Sequence, residues 1–387
     1  MLRNNKNNSG IDRVGLDIGS HSVKGVEIVE RGPELVIRSA GTAPIAGVRA
    51  RTELPDTGAT VSAIRNLWAT AGFSSRRVVL ALPPEAVYLK WLHLEASDSD
   101  ELDRVARAAA VRGAPFPAHS AIVDFRVLPS RGAPYRNIHY VMLVAASGDA
   151  VDNLLTIAES ADLEPVAVDI GAAAALRSFE MQKRFASPLW SGQPLAHCII
   201  GASNTTITVL RNGALEFART VPVGGSDITN CIVEATGLSW VEAERIKTTP
   251  GARLVSGATL VASHENEELR VACEGAVGRL AREVQRSLRF FRSQFAEGSY
   301  LGMIGATTLS GGAALLKGMD ICLQEMGTDV AGVINPFAGF SVDAGSSGIQ
   351  YAADKTAAFT TALGLAIGDY WSNWPSALVS EEVEAAG

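Results

Sequence analysis

Long apolar runs are missing from this chain. No uninterrupted apolar segment reaches the roughly 18 residues that a membrane-spanning helix needs. The segment Met1–Gly10 is polar and rich in Asn, so it lacks the apolar core of a signal peptide and predicts a disordered lead-in over 1–11. Basic patches interleaved with aromatic residues are also missing, and the formal net charge is -7, so nucleic acid is not an expected partner. We therefore expect a soluble, cytoplasmic protein.

Cysteine and histidine are scarce and show no metal-ligand spacing. The four cysteines form no Cys-x-x-Cys pair, which favours packing in the core over metal or disulfide roles: Cys198, Cys231, Cys273 and Cys322. The histidines are equally scattered: His21, His93, His119, His139, His197 and His264. His21 has two interpretations, contact with a phosphate at the turn in which it lies or a plain surface position, and we expect the surface position. A nucleophile elbow, a paired-histidine zinc motif and a Walker loop are absent from the sequence, which argues against those enzyme classes.

One pattern of strands occurs twice along the 387 residues. The hydrophobic content of 47% is enough for each copy to build a sizeable core. Each half begins with three strands and small-residue turns: Arg13–Asp17, Val23–Val29 and Leu35–Ala40, then Leu195–Ile200, Thr205–Leu210 and Leu215–Val221. The pair Asn212-Gly213 predicts a type I′ hairpin in the second copy. The segment Phe185–Pro194 predicts a domain boundary. This duplication predicts an α/β protein of two domains, 12–190 and 191–372, with a tail over 373–387.

Two segments interrupt the duplicated pattern. Residues 85–146 predict an inserted βαββ unit: strand Val87–Leu94, a helix from a capping box at Ser97–Asp100 to Arg112, and strands Ile122–Leu128 and His139–Ala146. Residues 228–299 predict a helical subdomain: Ile228–Ala235, a capped helix from Ser239 to Lys247, and a long helix over Glu267–Phe295. The remaining predictions are strand Tyr300–Leu309, a helix from Ala313, strand Val330–Ile334 and helix Ala357–Ile367.

The first turn, Asp17–Lys24, has the residues that a phosphate site needs. Gly19 removes the side chain that would block a phosphate, and successive backbone N–H groups in such a turn attract anions. The carboxylate of Asp17 requires Mg²⁺ or its water shell between itself and a phosphate, and Lys24 could supply a positive charge. An ordinary hairpin without a ligand is the alternative.

Two further motifs have both a functional and a structural interpretation. The loop Ser310-Gly311-Gly312 lies between a predicted strand and a helix, where small residues let a flat ring approach the backbone. A tight strand–helix connection is the alternative. Glu244 and Lys247 share one face of a predicted helix, either as part of a site or as a solvated ion pair.

Along the chain, the Asp17-Ile18-Gly19 turn comes first, a second turn of the same kind at Gly201–Asn204 follows, and the Ser310-Gly311-Gly312 loop comes last. This order resembles the actin-like ATPase fold, in which two related domains bind a nucleotide between paired hairpins. More specifically, the chain is similar to the PilM family of type IV pilus proteins from about Asp12 to Tyr370. The similar stretches are Val14–Glu27, Pro115-Phe116-Pro117 with Val123-Asp124, Val141–Ala146, Phe217–Gly225, Gly237–Lys247, Arg286–Phe291, Leu309–Ala314 and Asn335-Pro336-Phe337.

The resemblance implies that the ligands are ATP and Mg²⁺. The first phosphate loop would comprise Asp17, Gly19, Ser20 and Ser22, with Lys24 beside it and Asp17 on the metal side. The second would comprise Gly201, Ala202, Ser203 and Asn204. The adenosine would contact Glu244, Lys247, Ser310, Gly311 and Gly312.

The resemblance also implies a place in the cell. The inserted unit would be the small subdomain that the cell-division protein FtsA carries in place of actin's own. Members of the PilM family form a cytoplasmic platform that binds the N-terminal tail of the inner-membrane protein PilN and couples the machinery to pilus ATPases. Membrane association would then be indirect. A second copy of the chain is a further candidate partner.

Two details depart from the family pattern. The second loop usually opens with a carboxylate, but Ile199-Ile200-Gly201 stands at that position. We therefore expect nucleotide to bind and hydrolysis to be slow or absent. The triplet Asp169-Ile170-Gly171 repeats the letters of the first loop, but a helix follows it directly; it either lies near the metal or caps that helix.

Two alternative functions belong to proteins of the same superfold. A small-molecule kinase of the same superfold would need a catalytic base, for which Asp169 is the candidate. An FtsA-like filament protein would need a basic amphipathic C-terminal helix. The segment Asp369–Gly387 contains no Lys or Arg and becomes acidic near its end, which does not fit that requirement.

Overall fold

The fold was analysed in a computed structural model of the chain. It describes residues 13–32, 34–47, 56–128, 137–185, 193–211, 213–296, 299–343 and 353–368. The predicted lead-in, the 190/191 domain boundary, Asn212 and the tail over 373–387 lie outside the described residues.

The first half is built on a six-stranded mixed sheet. Its strands are β1 (Val14–Ile18), β2 (Ser22–Arg31), β3 (Glu34–Pro44), β4 (Arg77–Leu82), β8 (Glu164–Ile170) and β17 (Ser341–Val342), in the order β17-β3-β2-β1-β4-β8. The first three strands pair antiparallel, whereas β1, β4 and β8 run parallel. The parallel strands therefore end at one edge, where the turn after β1 also lies.

Helices cover both faces of this sheet. They are α1 (Thr57–Ala71), α3 (Gly148–Ser160), α4 (Gly171–Phe185) and α9 (Thr360–Ile367). The side chain of Asp56 caps the start of α1 by accepting from Ala59 N, and Gly72 ends it in the left-handed conformation. The apolar helix α9 is buried against β1 so closely that a Cβ on Gly15 would lie 2.0 Å from Ala362 O.

The second half repeats the arrangement. Its sheet has the order β11-β10-β9-β15-β16, with β9 (Leu195–Ile200), β10 (Thr205–Arg211), β11 (Ala214–Val221), β15 (Ala306–Ser310) and β16 (Val330–Val333). Strand directions match those of β3-β2-β1-β4-β8 one for one. The predicted duplication therefore extends to topology and register, and it places the two small-residue turns at equivalent sheet edges.

The insertion is a three-stranded sheet with one helix. Strands β5 (Val87–Glu95), β6 (Ala121–Val127) and β7 (Ile138–Ser147) pair in the order β5-β7-β6, and α2 (Ser99–Gly113) packs on them. The predicted capping box is wrong by one residue: Asp98 is the N-cap and accepts from Glu101 N, while Glu101 reaches back to Ser97. The insertion contacts the second half, since Trp91 Nε1 donates to Leu215 O at 2.8 Å.

The helical subdomain departs most from expectation. The predicted long helix over Glu267–Phe295 is wrong, because Glu267–Ala272 is strand β14, and α7 begins only at Glu274 and ends at Arg292. Strand β14 pairs antiparallel with β13 (Thr259–His264), which also pairs with β12 (Arg253–Val255). Both residues of the β13–β14 turn have positive φ, 50° at Glu265 and 66° at Asn266, as a type I′ hairpin requires. The other two helices are α5 (Gly225–Thr236) and α6 (Trp240–Thr248).

Three later predictions also need correction. The predicted strand Tyr300–Leu309 contains a 3₁₀ turn, Tyr300–Gly302, before β15 begins. The helix expected from Ala313 is a 3₁₀ turn, Gly312–Leu315, followed by α8 (Met319–Glu325). The last helix likewise begins as 3₁₀, Ala353–Phe359, before α9. The first of these 3₁₀ turns ends at Gly302, the second begins at Gly312, and the third contains a kink at Lys355.

The cysteines are part of the core or border it. Cys198, Cys273 and Cys322 are buried and Cys231 is half-buried, as core packing predicts. Within the residues that the structure describes, no helix is long and apolar enough to cross a membrane.

Candidate functional site

The two duplicated turns are closed in the same way. Gly19 N donates to Ser22 O at 3.1 Å, and Gly201 N donates to Asn204 O at 2.9 Å. A Cβ at either glycine would lie 3.0–3.1 Å from the same acceptor oxygen, so only glycine fits without displacement. The sequence match between the turns is thus a match in backbone geometry.

The turns also contact each other. Ser203 Oγ donates to Ser20 Oγ at 2.9 Å, which joins the tip of the second turn to the tip of the first. Beside this contact, Asn204 Nδ2 donates to Glu85 Oε1 at 2.7 Å. The predicted loops therefore face one another across the cleft between the two sheets. Glu85 was not predicted at the site; it follows β4, whose end borders the same sheet edge.

Charge distinguishes the two turns. Asp17 pairs across the strands with Lys24, and their side chains approach to 3.9 Å. At the equivalent register in the second turn, Ile199 pairs with Thr206, so both the acid and the base are missing. Burial raises the pKa of the Asp17 carboxyl, and the Lys24 ammonium offsets this only in part. A divalent cation near Asp17 would compensate this charge.

A helix N-terminus is packed against the second turn. At the start of α5, Gly225 N donates to Gly201 O and Ser226 N donates to Ala202 O, both at 2.9 Å. A Cβ on Gly224 would lie 2.4 Å from Ala202 O, so the approach requires glycine. The partial positive charge of the α5 N-terminus therefore lies at the turn that carries no charged side chain.

Lys247 and Glu244 form a partly buried network. The Lys247 ammonium donates to Gly225 O at 3.0 Å, to Thr229 Oγ1 at 2.8 Å and to Glu244 Oε2 at 2.7 Å. Its side chain is only 9% exposed, which does not fit the solvated ion pair considered above. Burial alone would raise the pKa of Glu244, but Lys247 and a hydrogen bond from Thr229 bring it below its usual value.

His21 lies in the cleft and is not a surface residue as expected. Its Nε2 is 3.4 Å from Ser226 Oγ, its Nδ1 is 3.3 Å from Ser20 Oγ, and its ring lies 6.1 Å from that of Trp240. Burial lowers the pKa of His21, while the nearby Glu244 carboxylate opposes this shift. The imidazole therefore spans from the first turn to the second domain.

The loop after β15 completes the arrangement. Gly311 has φ 90° and donates its N–H to Ala357 O at 2.8 Å, and a Cβ on it would lie 2.4 Å from Ile200 O. Gly225 lies beside Ala313, so this loop borders the start of α5. Ser310 is buried and its hydroxyl is bound by His197 at 2.8 Å, which makes it a support for the loop and leaves the loop surface to the glycines. Burial lowers the pKa of His197 to about 4.

Asp169 lies near this edge but has a different partner. Asp169 lies on β8 and is aligned with Ala81 on β4, so that β4 separates it from β1. Its carboxylate binds the Arg177 guanidinium, and Arg177 Nε also donates to Gly364 O at 2.9 Å. These contacts favour a structural role, which differs from the expected helix cap: Asp169 holds Arg177 of α4, and Arg177 in turn binds α9.

This role gives a prediction for Asp169→Asn. We expect the free energy of unfolding to fall by about 1–2 kcal/mol, because a largely buried Arg177 loses its carboxylate. Nucleotide affinity should be unchanged. Urea unfolding and calorimetric titration measure the two quantities separately; weakened Mg²⁺–nucleotide binding at unchanged stability would instead place Asp169 at the metal.

Comparison with known proteins agrees with this geometry. The family model described as type IV pilus assembly protein PilM matches residues 15–370. The cell division protein FtsA of Bacillus subtilis (strain 168) is 24% identical over 343 residues, covering 81% of this chain and 76% of FtsA. The structure of a PilM–PilN type IV pilus biogenesis complex matches with a TM-score of 0.73 at 26% identity, covering 92% of this chain and 98% of that chain.

These matches confirm the predicted fold class. The duplicated strand order, the inserted small subdomain and the match to a solved relative over nearly its whole length identify an actin-like ATPase fold. The family model also covers the first turn, the second turn and the loop after β15 in one continuous match. The chain therefore belongs to the PilM family of type IV pilus assembly proteins.

Proposed function

We propose that this protein is a nucleotide-binding scaffold of type IV pilus assembly that binds the N-terminal tail of an inner-membrane protein of the PilN type. The observation that carries the proposal is the likeness, at a TM-score of 0.73 and over 98% of its length, to a chain of a PilM–PilN complex. The scaffold would act in the cytoplasm and reach the membrane through this partner. Contacts with pilus ATPases and self-association belong to the same proposal.

The cleft supports ATP as the nucleotide. Glycines at both turns and at the loop after β15 leave room at the backbone, and the groups around them that suit phosphate are two serine hydroxyls and the Lys24 ammonium. The phosphates would be held by Gly19, Ser20, Ser22, Lys24, Gly201, Ala202, Ser203 and Asn204. The adenosine side would be formed by Glu244, Lys247, Gly311 and Gly312. Mg²⁺ would bind through Asp17.

The asymmetry of the turns supports binding with little hydrolysis. Only the first turn has a carboxylate on its strand, since Ile199, paired with Thr206, stands at the position equivalent to Asp17. Phosphate positioning by backbone N–H groups does not need that acid. We therefore propose that the protein senses ATP and turns it over slowly. Rapid Mg²⁺-dependent ATP hydrolysis by the purified protein would contradict this.

The alternatives receive less support. The likeness to FtsA at 24% identity favours a filament protein as second candidate. A kinase would need a free base, and Asp169, its candidate, is held by Arg177. Sedimentation with ATP and a screen of phosphate acceptors would each test one of these functions directly.

The test of the proposal is direct binding of the partner tail. A fluorescent peptide with the N-terminal sequence of the PilN-type partner is titrated with the full chain, and anisotropy is measured with and without ATP and Mg²⁺. We expect saturable binding whose affinity depends on the nucleotide. A peptide of the same composition in scrambled order is the control. Equal binding of both peptides, or binding of neither in both states, would refute the scaffold proposal.

A further inference from the structure

Helix α7 concentrates positive charge in a chain that is acidic as a whole. Between Arg279 and Arg292 it contains five arginines and one glutamate, although the formal net charge of the chain is -7. The opposite face of the helix is buried in the core of the second half. The arginines therefore form the solvent side of an amphipathic helix. All five are exposed: Arg279, Arg282, Arg286, Arg289 and Arg292.

Three of these arginines form one line along the helix. Arg282, Arg286 and Arg289 follow each other at spacings of four and three residues, which places them on one face. Arg286 has an acidic neighbour, Glu283, at 3.8 Å, and its side chain is still 67% exposed. Within the part of the chain that the structure describes, Arg282 and Arg289 form no ion pair. The line thus carries positive charge that the folded chain does not neutralise.

An exposed aromatic ring lies beside this line. Phe290 follows Arg289 directly and lies one helical turn after Arg286. Its side chain is 57% exposed, while its ring lies 6.1 Å from that of Phe217, which is buried in β11. Phe290 therefore packs on the core with one part of the ring and presents the rest to solvent.

A 3₁₀ turn on the C-terminal end of α7 exposes more apolar surface. A Cβ on Gly302 would lie 3.2 Å from Phe295 Cδ2 and 3.5 Å from Arg292 O, so the turn Tyr300–Gly302 packs where the helix ends. Tyr300 is 84% exposed, and two further apolar side chains are exposed beside it, Leu301 and Met303. The α7 patch comprises the arginine line and these apolar residues: Arg282, Arg286, Arg289, Phe290, Tyr300, Leu301 and Met303.

We propose that the α7 patch binds the surface of an anionic phospholipid membrane. Guanidinium groups pair with lipid phosphates, and the negative potential of such a surface attracts clustered arginines. Exposed aromatic and aliphatic side chains enter the boundary between head groups and acyl chains. The inference goes beyond the proposed function, in which the chain reaches the membrane through the partner tail alone.

The composition and shape of the α7 patch favour lipid over an acidic peptide or a nucleic acid. Peptides are usually bound in a groove or at a sheet edge, whereas the arginine line lies on the outer face of a regular helix. A nucleic acid would contact the arginines but would gain little from Leu301 and Met303. The partner proposed above is an inner-membrane protein, so binding of its tail would hold the chain next to a lipid surface.

Sedimentation of the full chain with lipid vesicles tests the proposal. The vesicles contain phosphatidylcholine alone or a mixture of phosphatidylcholine with anionic phosphatidylglycerol. We expect binding to the anionic vesicles only, and weaker binding as salt is added, because salt screens the attraction. Absence of binding to the anionic vesicles would overturn the proposal, and so would equal binding to both kinds. The vesicles contain no protein, so the result does not depend on whether the partner tail binds.

Removal of the unpaired charges should weaken this binding. Arg282→Gln combined with Arg289→Gln should lower the partition coefficient on anionic vesicles about 25-fold, since each arginine near such a surface contributes about fivefold. Arg245→Gln combined with Arg270→Gln is the matched control, because it removes the same charge from exposed positions on α6 and β14. An equal loss in both double variants would show that net charge alone directs binding and would contradict the α7 patch.

The apolar part of the α7 patch has its own variant. Tyr300→Ser combined with Met303→Ser changes two exposed side chains, and an unchanged melting temperature would verify that the fold is intact. We expect binding to anionic vesicles to weaken by at least about tenfold. Unchanged binding would overturn the proposed insertion into the lipid boundary. A soluble Glu-rich peptide that binds the wild type and displaces it from the vesicles at equal charge concentration would instead identify an acidic protein segment as the ligand.

Discussion

Gly311→Ala is expected to lower the free energy of unfolding by about 2–4 kcal/mol, whereas Gly312→Ala should leave it nearly unchanged. The two glycines are neighbours in the loop after β15, but they face different constraints. Gly311 has φ 90°, and a Cβ there would lie 2.4 Å from Ile200 O, which is backbone and cannot rotate away. Gly312 has ordinary φ, and a Cβ there would meet no atom within 4 Å.

Nucleotide affinity should separate the pair in a second way. If adenosine lies against this loop, the methyl group of Gly312→Ala projects into its space and weakens ATP binding by about tenfold or more at unchanged stability. Gly311→Ala should weaken binding through displacement of the loop. Urea unfolding and calorimetric titration with ATP supply the measurements. Unchanged ATP affinity in Gly312→Ala would show that the adenosine does not lie against this loop.

The two turns that face each other could be predicted from the sequence because they are made by local geometry. A turn such as Asp17–Ser22 needs glycine and small residues at fixed positions, and the same need recurs at Gly201–Asn204. Such requirements are visible in one sequence. The loss of the acid at Ile199 was visible for the same reason, and the structure adds that its cross-strand partner has changed as well, from Lys24 to Thr206.

Features that depend on distant contacts were missed. The sequence predicts a surface position for His21, but the side chain is half-buried and lies beside Ser226 and Trp240 of the second domain. The sequence predicts helix in place of strand β14, because Glu267–Ala272 alternates weakly and precedes a genuine helix without a Gly or Pro between them. What makes it a strand is pairing with β13, and this pairing is set by the turn at Glu265 and Asn266.

The surface against which the insertion packs also could not be predicted from the sequence. Its strands and its helix were predictable from period and caps, but nothing in them indicates what they pack against. In the structure Tyr140 and Met142 of β7 share a core cluster with Leu195 and Leu215 of the second domain. The small subdomain therefore joins the two duplicated domains on the side of the β10–β11 hairpin.

Asp17→Asn is expected to change stability and ligand binding in opposite directions. The carboxylate is largely buried, with its Lys24 partner 3.9 Å away, and burial raises its pKa. An ionised group whose pKa is raised by folding destabilises the folded state. The amide keeps the shape without the charge, so we expect the free energy of unfolding of the ligand-free protein to rise by about 1 kcal/mol at neutral pH.

The sign of this effect fixes its pH dependence. The penalty in the wild type is fully present above the raised pKa and disappears as pH falls through it towards the ordinary value of 3.8. The stability gain of Asp17→Asn should therefore be largest near neutral pH and vanish in acid. Asp152→Asn, which changes an exposed carboxylate on α3, should show neither effect.

The effect of Mg²⁺ on ATP affinity should show whether Asp17 is a metal-binding residue or only a buried carboxylate. If Asp17 binds Mg²⁺ directly or through water, Asn at this position should weaken ATP binding in the presence of Mg²⁺ by at least about tenfold and leave binding in its absence unchanged or stronger. Titrations with ATP and with ATP plus Mg²⁺ give the two affinities. If Asp17→Asn is more stable than the wild type yet binds Mg²⁺–ATP less tightly, then the Asp17 carboxylate destabilises the fold and is needed to bind the nucleotide. An equal loss of ATP affinity with and without Mg²⁺ would show that Asp17 does not bind the metal and contributes only to the turn.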